Sequence, residues 1–249
     1  MDLLFDVGNT EVKISIASNS KILKKYRLIT DSKLSSDAYY FQMKPFIEEY
    51  SFDRVAISSV VPSITKALKE ISSQYLNIVP LIVGPGIKTG VNVKTDYPKE
   101  VGADLICASA GINTKERPAL IVDLGTATKY IYVENNTIKG VVISPGVMIS
   151  MKALVQNTAL LPQIDIEVPS KVLGTNTITC MQSGVTYGVA AQVDGLIRRI
   201  KKEVNKDFDV ILTGGLSVII TPLLEEKVVQ NDHLVLTGLL NILDRNFIK

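Results

Sequence analysis

An α/β fold in two duplicated halves, each a mixed sheet flanked by helices, is predicted by three features of this 249-residue sequence. The first is a repeated pattern. Leu3-Leu4-Phe5-Asp6-Val7-Gly8-Asn9-Thr10 returns as Leu120-Ile121-Val122-Asp123-Leu124-Gly125-Thr126-Ala127-Thr128, each an apolar run ending in aspartate, glycine and hydroxyl residues. The second is the similar tail on each copy. Val12, Ile14 and Ile16 alternate with polar or small residues, and Lys129 to Val133 is rich in β-branched and aromatic residues, so both tails read as returning strands. The third is that the later segments of the two halves share a similar plan, which sets the halves at 1–117 and 118–249.

Taken in order, the first hairpin is succeeded by a turn at Asn19-Ser20-Lys21 and a third strand from Leu23 to Ile29. Asp31 to Tyr50 opens with capping residues and spaces Phe41, Phe46 and Ile47 as a helix does. Arg54 to Val61 reads as a buried strand, Pro62 opens a helix through Tyr75, and Asn77 to Val83 returns as a strand ending at Gly84-Pro85-Gly86. Pro98 and Glu100 precede a run of small apolar residues from Leu105 to Gly111, which predicts a helix with Asp104 in its first turn.

The second half repeats the three strands at Ala119–Asp123, Lys129–Val133 and Ile138–Ser144, with a turn at Asn135-Asn136. A helix runs from Pro145-Gly146 to Asn157, and a second helical region runs from Asn176 to Lys206. Gly184, Gly188 and Gly195 interrupt that region at a helix cost of about 1 kcal/mol each relative to alanine, which a packing or subunit interface would offset. Asp209 to Gly215 is a strand ending in a glycine pair, and Leu234 to Asn246 is a closing helix.

Composition narrows the function classes. Hydrophobic residues at 46% and charged residues at 21% describe a globular chain, and a net charge of +2 gives no drive toward nucleic acid or a membrane surface. No apolar run approaches the roughly 20 residues of a membrane span, and Asp2 and Asp6 stand where a signal peptide carries cations, so a cytoplasmic protein is expected. Cys107 and Cys180 have no metal-ligand spacing and read as reduced thiols, and His233 falls in a polar surface turn.

The chemistry comes from the two turns. Gly8 and Gly125 carry no Cβ, so backbone N–H groups there can approach an anion, and Asn9, Thr10, Thr126 and Thr128 add donors. Asp6 and Asp123 would repel a phosphate chain unless a cation such as Mg²⁺ lies between, so the combination suits a metal-nucleotide held from both sides by two hairpins. Asp104 has two readings, a partner for the helix dipole or a functional carboxylate. Gly214-Gly215 likewise suits either a strand-to-helix turn or a flat seat for adenine.

These motifs, with Gly102-Ala103-Asp104, Ser144-Pro145-Gly146, Thr158-Ala159-Leu160-Leu161-Pro162, Asn176-Thr177, Met181-Gln182-Ser183-Gly184 and Leu212-Thr213-Gly214-Gly215, resemble the type III pantothenate kinases almost end to end. That family lies within the actin, sugar kinase and Hsp70 superfamily, so the resemblance implies two actin-like, ribonuclease H-like ATPase halves. It implies ATP-dependent phosphorylation of pantothenate, the first step of coenzyme A synthesis, by a homodimer without nucleic-acid or membrane partners. Under it, Asp6, Val7, Gly8, Asn9, Thr10, Thr126, Gly214 and Gly215 hold Mg-ATP, with Asp6 at Mg²⁺. Asp123 sits at a monovalent cation, K⁺ or NH₄⁺, and Gly102, Ala103, Asp104, Leu105 and Thr177 meet pantothenate, with Asp104 as general base.

Two places depart from the family pattern. Leu105 stands where the family has arginine, and Thr128-Lys129-Tyr130-Ile131 stands where it has Thr-Thr-x-Asp. The competing readings are a nucleotide-binding regulator with little kinase activity and a kinase for another small hydroxy acid.

Overall fold

The computed structural model describes residues 1–247. It divides into two compact units: the first holds Met1–Asn113 and the chain from His233 on, the second Thr114–Asp232. The first unit begins with β1 (Asp2–Val7), β2 (Glu11–Ser18) and β3 (Lys21–Ile29), an antiparallel meander. Asn19 and Ser20, both left-handed at φ 49° and 58°, make the β2–β3 turn in the conformation that matches strand twist.

Helix α1 (Ser36–Ile47) then leads to β4 (Arg54–Ser59), and α2 (Pro62–Gln74) to β5 (Leu81–Ile82). A two-residue strand β6 (Asn92–Val93) and α3 (Ala103–Ala110) come next. The strand order is β3-β2-β1-β4-β5, with β4 parallel to both β1 and β5, as helical crossovers require.

Alternation along β1 divides its neighbours. Leu3, Phe5 and Val7 join Tyr39 and Met43 of α1 and Ile64, Leu68 and Ile71 of α2 in one core. Leu4 on the other face joins Ala56 of β4 and Cys107 of α3 in a second. Asp6 shares the Leu4 face, and its parallel partner in β4 is Ser58.

The second unit repeats the meander as β7 (Ala119–Leu124), β8 (Ala127–Glu134) and β9 (Thr137–Pro145), turned at Asn135 and Asn136 with φ 50° and 51°. Then come α4 (Val147–Gln156), α5 (Thr177–Val204), β10 (Asp209–Thr213), α6 (Ser217–Ile220) and β11 (Val229–Gln230). Strand β7 lies between β8 and the parallel β10. Leu120, Val122 and Leu124 pack with Ala190, Val193 and Ile197 of α5.

Helix α5 starts on a capping box in which Asn176 accepts from the Thr179 N–H and Thr179 reaches back, and it ends at the left-handed Asn205. Among the described residues no helix is long and apolar enough to cross a membrane.

The last helix, α7 (Leu234–Phe247), returns to the first unit. Gly238 lets it press onto α3, since a Cβ there would collide with the Cys107 carbonyl. Arg54 clasps Asp2 through two 2.7 Å hydrogen bonds and Asp244 of α7 through one of 2.8 Å. The division therefore differs from a single break at 117/118: the boundary lies at 113/114, and the final helix belongs with the first unit's core.

Several boundaries also move. The strand expected from Asn77 contracts to Leu81–Ile82, because Asn77 is left-handed (φ 55°) and Pro80 has no N–H to offer. The helix expected from Asp31 begins at Ser36, because Asp31 caps its own turn by accepting from the Lys33 N–H while Ser35 caps the helix.

Candidate active site

The two hairpin turns show the duplication at atomic detail. Asp6 is next to last in β1 and lies opposite Lys13 of β2; Asp123 is next to last in β7 and lies opposite Lys129 of β8. The lysine Nζ stands 3.3 Å from Asp6 Oδ2 in the first and 3.5 Å from Asp123 Oδ2 in the second. The Asp123–Lys129 pair is on the face of β7 away from the α5 core, because Leu120, Val122 and Leu124 point toward α5.

Past the last paired residues, Val7 with Val12, the first turn is Gly8-Asn9-Thr10-Glu11, closed by a 2.9 Å bond from the Gly8 N–H to the Glu11 carbonyl. Thr30 fastens it from β3's end, its hydroxyl donating to the Gly8 carbonyl and its N–H to that of Thr10. Val7 is buried, whereas Asn9 and Thr10 are exposed at the tip. In the second turn, Gly125-Thr126-Ala127 is one residue shorter and presses against Gly146, where a Cβ would collide with the carbonyls of Gly125 and Thr126. Gly146 thus holds the start of α4 against the turn.

Asp104 lies in the first turn of α3, after Gly102 at the N-cap and Ala103. Its Oδ1 accepts from the Leu105 N–H at 2.9 Å. A Cβ on Gly102 would come within 2.5 Å of that same Oδ1, so the glycine is what leaves the carboxylate its room.

One turn along α3, Cys107 is fully buried, and burial pushes its thiol pKa up; the Ser58 hydroxyl works against this, while the Asp6 and Asp104 carboxylates add to it. The first unit therefore brings Asp6, Ser58, Asp104 and Cys107 into one electrostatic neighbourhood, and the thiol stays protonated there. Leu105 is buried, 9% exposed, within α3.

The remaining candidates lie in the second unit. Thr177 is the exposed first residue of α5. Gly214 has φ +99° and sits where a Cβ would come within 2.6 Å of the Leu124 backbone, so packing against β7 accounts for it; a Cβ on Gly215 would meet nothing within 4 Å. A cavity of about 410 Å³ opens on the α5 side of the β8–β9 sheet, lined by Tyr130, Tyr132, Gly140 and Ile200, and burial pushes the Tyr130 phenol up to about 12.

Sequence reasoning passed over Lys13 and Ser58 and read Cys107 only as a reduced thiol. Lys13 and Ser58 become neighbours of Asp6 only through strand register, and only Lys13 carried a signal, a counterpart of Lys129 three residues into the returning strand.

The donor sets can be tested against the cations expected. Mg²⁺ takes oxygen ligands, keeps waters and relies on one or two carboxylates plus substrate phosphates. Asp6, on the edge of a turn rich in backbone N–H and hydroxyl groups, fits that manner of binding. Among the described residues no group of three or more His, Cys, Asp or Glu side chains could hold an ion unaided, so such a metal would depend on nucleotide oxygens. A free monovalent cation at Asp123 does not fit, because the Lys129 ammonium stands at its carboxylate and is only 20% exposed, whereas Lys13 beside Asp6 is 40% exposed and open to solvent.

Fold and hairpins together define the class: a duplicated α/β ATPase fold of the kind found in sugar kinases. A Sinorhizobium meliloti structure named as a 2-dehydro-3-deoxygalactonokinase matches with a TM-score of 0.63 at 12% identity over 100% of both chains. A Campylobacter jejuni structure named as a Baf family transcriptional activator matches with a TM-score of 0.61 at 18% identity over 98% of both. At such identities these likenesses show the fold alone.

The family is shown by sequence. A model of the type III pantothenate kinases matches residues 2–199, and a type III pantothenate kinase of Acholeplasma laidlawii is 48% identical over 246 residues, 99% of each chain. The chain belongs to the type III pantothenate kinase family.

Proposed function

We propose that this protein transfers the γ-phosphoryl group of ATP to the primary hydroxyl of pantothenate, giving phosphopantothenate and ADP at the first step of coenzyme A synthesis. The observation that carries the reading is the Asp104 carboxylate in the first turn of α3, a helix whose Cys107 packs with Leu4 of β1, the strand that carries Asp6. Phosphoryl transfer asks a protein mainly for positioning and charge neutralisation, with a carboxylate to take the alcohol proton. Asp104 accepts that proton as the hydroxyl oxygen bonds to the γ-phosphorus and the bridge to ADP breaks. Gly102 keeps the carboxylate in place by leaving it room.

Gly8, Asn9 and Thr10 offer the first turn's donors to ATP phosphates, Val7 anchors that turn in the core, and Thr126 offers its hydroxyl from the second turn. Gly215, with open space where a side chain would stand, suits a flat approach to adenine, with Gly214 shaping the bend. Bound through Asp6, Mg²⁺ would supply charge neutralisation for the phosphate oxygens. Ala103, Leu105 and Thr177 border the acceptor in this reading.

A homodimer is part of the proposal. Met148, Ile149, Leu160, Leu173 and Ile178 expose large apolar side chains in the second unit, and a Cβ on Gly184, Gly188 or Gly195 of α5 would meet nothing within 4 Å. Exposed apolar side chains and uncrowded helix positions of this kind suit contact with a second copy of the chain. A cytoplasmic enzyme with access to ATP is part of the same reading.

The test is a coupled assay of ADP release with pantothenate and with other small hydroxy acids. Release that depends on pantothenate is expected; ADP release with a different hydroxy acid alone would reassign the acceptor, and none with any acceptor would favour a regulator.

A further inference from the structure

The second hairpin brings a cation of its own to Asp123. Lys129 lies directly across the strands from it, with Nζ 3.5 Å from Oδ2, and on the other side of β7 the residue paired with Asp123 is Thr213 of β10. The turn closes over the carboxylate, since a Cβ on Gly125 would be 3.4 Å from Asp123 Oδ1 and 3.7 Å from Oδ2. The two side chains are 20% and 19% exposed, so the ammonium and carboxylate are largely withdrawn from bulk water and weakly screened by salt.

A free monovalent cation bound to this carboxylate would stand beside the ammonium and be repelled by it. The lysine headgroup is itself an alkylated ammonium ion, a compact point charge with three N–H donors. It supplies the charge of NH₄⁺ from a side chain whose position is fixed by strand register, without the entropic cost of capturing a free ion.

We propose that the Lys129 ammonium is the built-in monovalent cation of the Asp123 site, so that the enzyme needs neither K⁺ nor NH₄⁺ from solution. Its effect on catalysis rests on the kinase reading above. The alternative role for Lys129, anchoring the pantothenate carboxylate where Leu105 replaces an arginine, would turn its charge away from Asp123, whereas the hairpin aims it at that carboxylate.

The experiment compares wild type with Lys129→Thr in chloride salts of K⁺, NH₄⁺, Na⁺ and choline at one ionic strength, reading ADP release with ATP and pantothenate and the melting temperature of each protein. The expected result is a wild-type rate that is the same in all four salts. The variant should lose about tenfold or more in Na⁺ or choline, as for loss of a charge-assisted contact, and recover in K⁺ or NH₄⁺. Its melting temperature should rise in K⁺ over Na⁺, while that of wild type does not.

Activation of wild type by K⁺ overturns the proposal. So does a variant that responds to no cation, including one whose only change is a raised pantothenate KM, which would make Lys129 a substrate anchor. If wild type releases no ADP with pantothenate, the kinase reading fails separately, and the melting temperatures still decide the cation question. Should the variant not fold, the wild-type comparison of K⁺ with Na⁺ decides it alone.

Discussion

Strands β2 and β8 are each eight residues long, bury the same positions in the same order, and carry at their third position a lysine that faces the aspartate of the preceding strand. Their surroundings differ. Lys13 is 40% exposed beside a nearly buried Asp6, and Asp6 shares its neighbourhood with Ser58, Cys107 and Asp104. Lys129 and Asp123 are evenly and only slightly exposed under a shorter turn pinned by Gly146. One repeated device thus sits in two settings: the first hairpin's lysine is the more exposed, and under the proposed function it would yield its carboxylate to Mg-ATP, whereas the second's is largely withdrawn from solvent. The repeat shares the strand geometry, and the packing around each copy sets how exposed its charged pair is.

The largest test of this contrast removes the base proposed for the first unit. Asp104→Asn should lower turnover by roughly 10² to 10⁴ while nucleotide binding, measured by calorimetry, stays near wild type. A variant that kept most of its rate would reduce Asp104 to a helix-dipole partner and erase the chemical distinction between the units.

Next in size is Asp6→Asn, which keeps the shape but removes the negative charge that attracts a divalent ion. The apparent KM for Mg-ATP should rise about ten- to a hundredfold, with a steeper dependence on free Mg²⁺ in a titration at fixed ATP. If Asp6→Asn instead changed the response to monovalent salts, the roles of the two hairpins would be reversed.

The glycines separate structural from functional demands in the two turns. Gly146→Ala drives a methyl group into the Gly125 and Thr126 carbonyls, and urea unfolding should show a loss of about 1 to 3 kcal/mol. Gly8→Ala is the smallest effect on stability: its Cβ would sit 3.5 Å from the nearest atom, the Glu11 carbonyl, in ordinary contact and with no left-handed φ. Its stability should be unchanged or raised by up to about 1 kcal/mol, yet its Mg-ATP KM should rise because the methyl group keeps phosphate from the backbone. An unchanged KM would take the first turn out of nucleotide binding.

Legibility in the sequence depends on whether a signal is local. The hairpins were legible, because apolar alternation, Asp-x-Gly and the paired Asn turns are short-range patterns whose physics acts within a few residues. Asp104 was legible as a carboxylate in a helix's first turn, but the packing of its helix on the Leu4 face of β1, the face that carries Asp6, was not. The Lys129 substitution was visible as a departure from a pattern, yet its target was hidden until the register set it opposite Asp123.

Local sequence was enough to specify the duplicated strand–turn–strand units, the principal helices and the residue types gathered at each turn, because these depend on periodicity and on what glycine, aspartate and threonine can do in a tight bend. Packing was needed to assign the last helix to the first unit, through Gly238 against Cys107 and Arg54 between Asp2 and Asp244. Packing also settled how far each lysine–aspartate pair is withdrawn from solvent, with Lys13 40% exposed beside Asp6 and Lys129 20% exposed beside Asp123. Those outcomes depend on contacts between residues far apart in the chain, where strand register and the approach of one backbone to another set distances that no local pattern encodes.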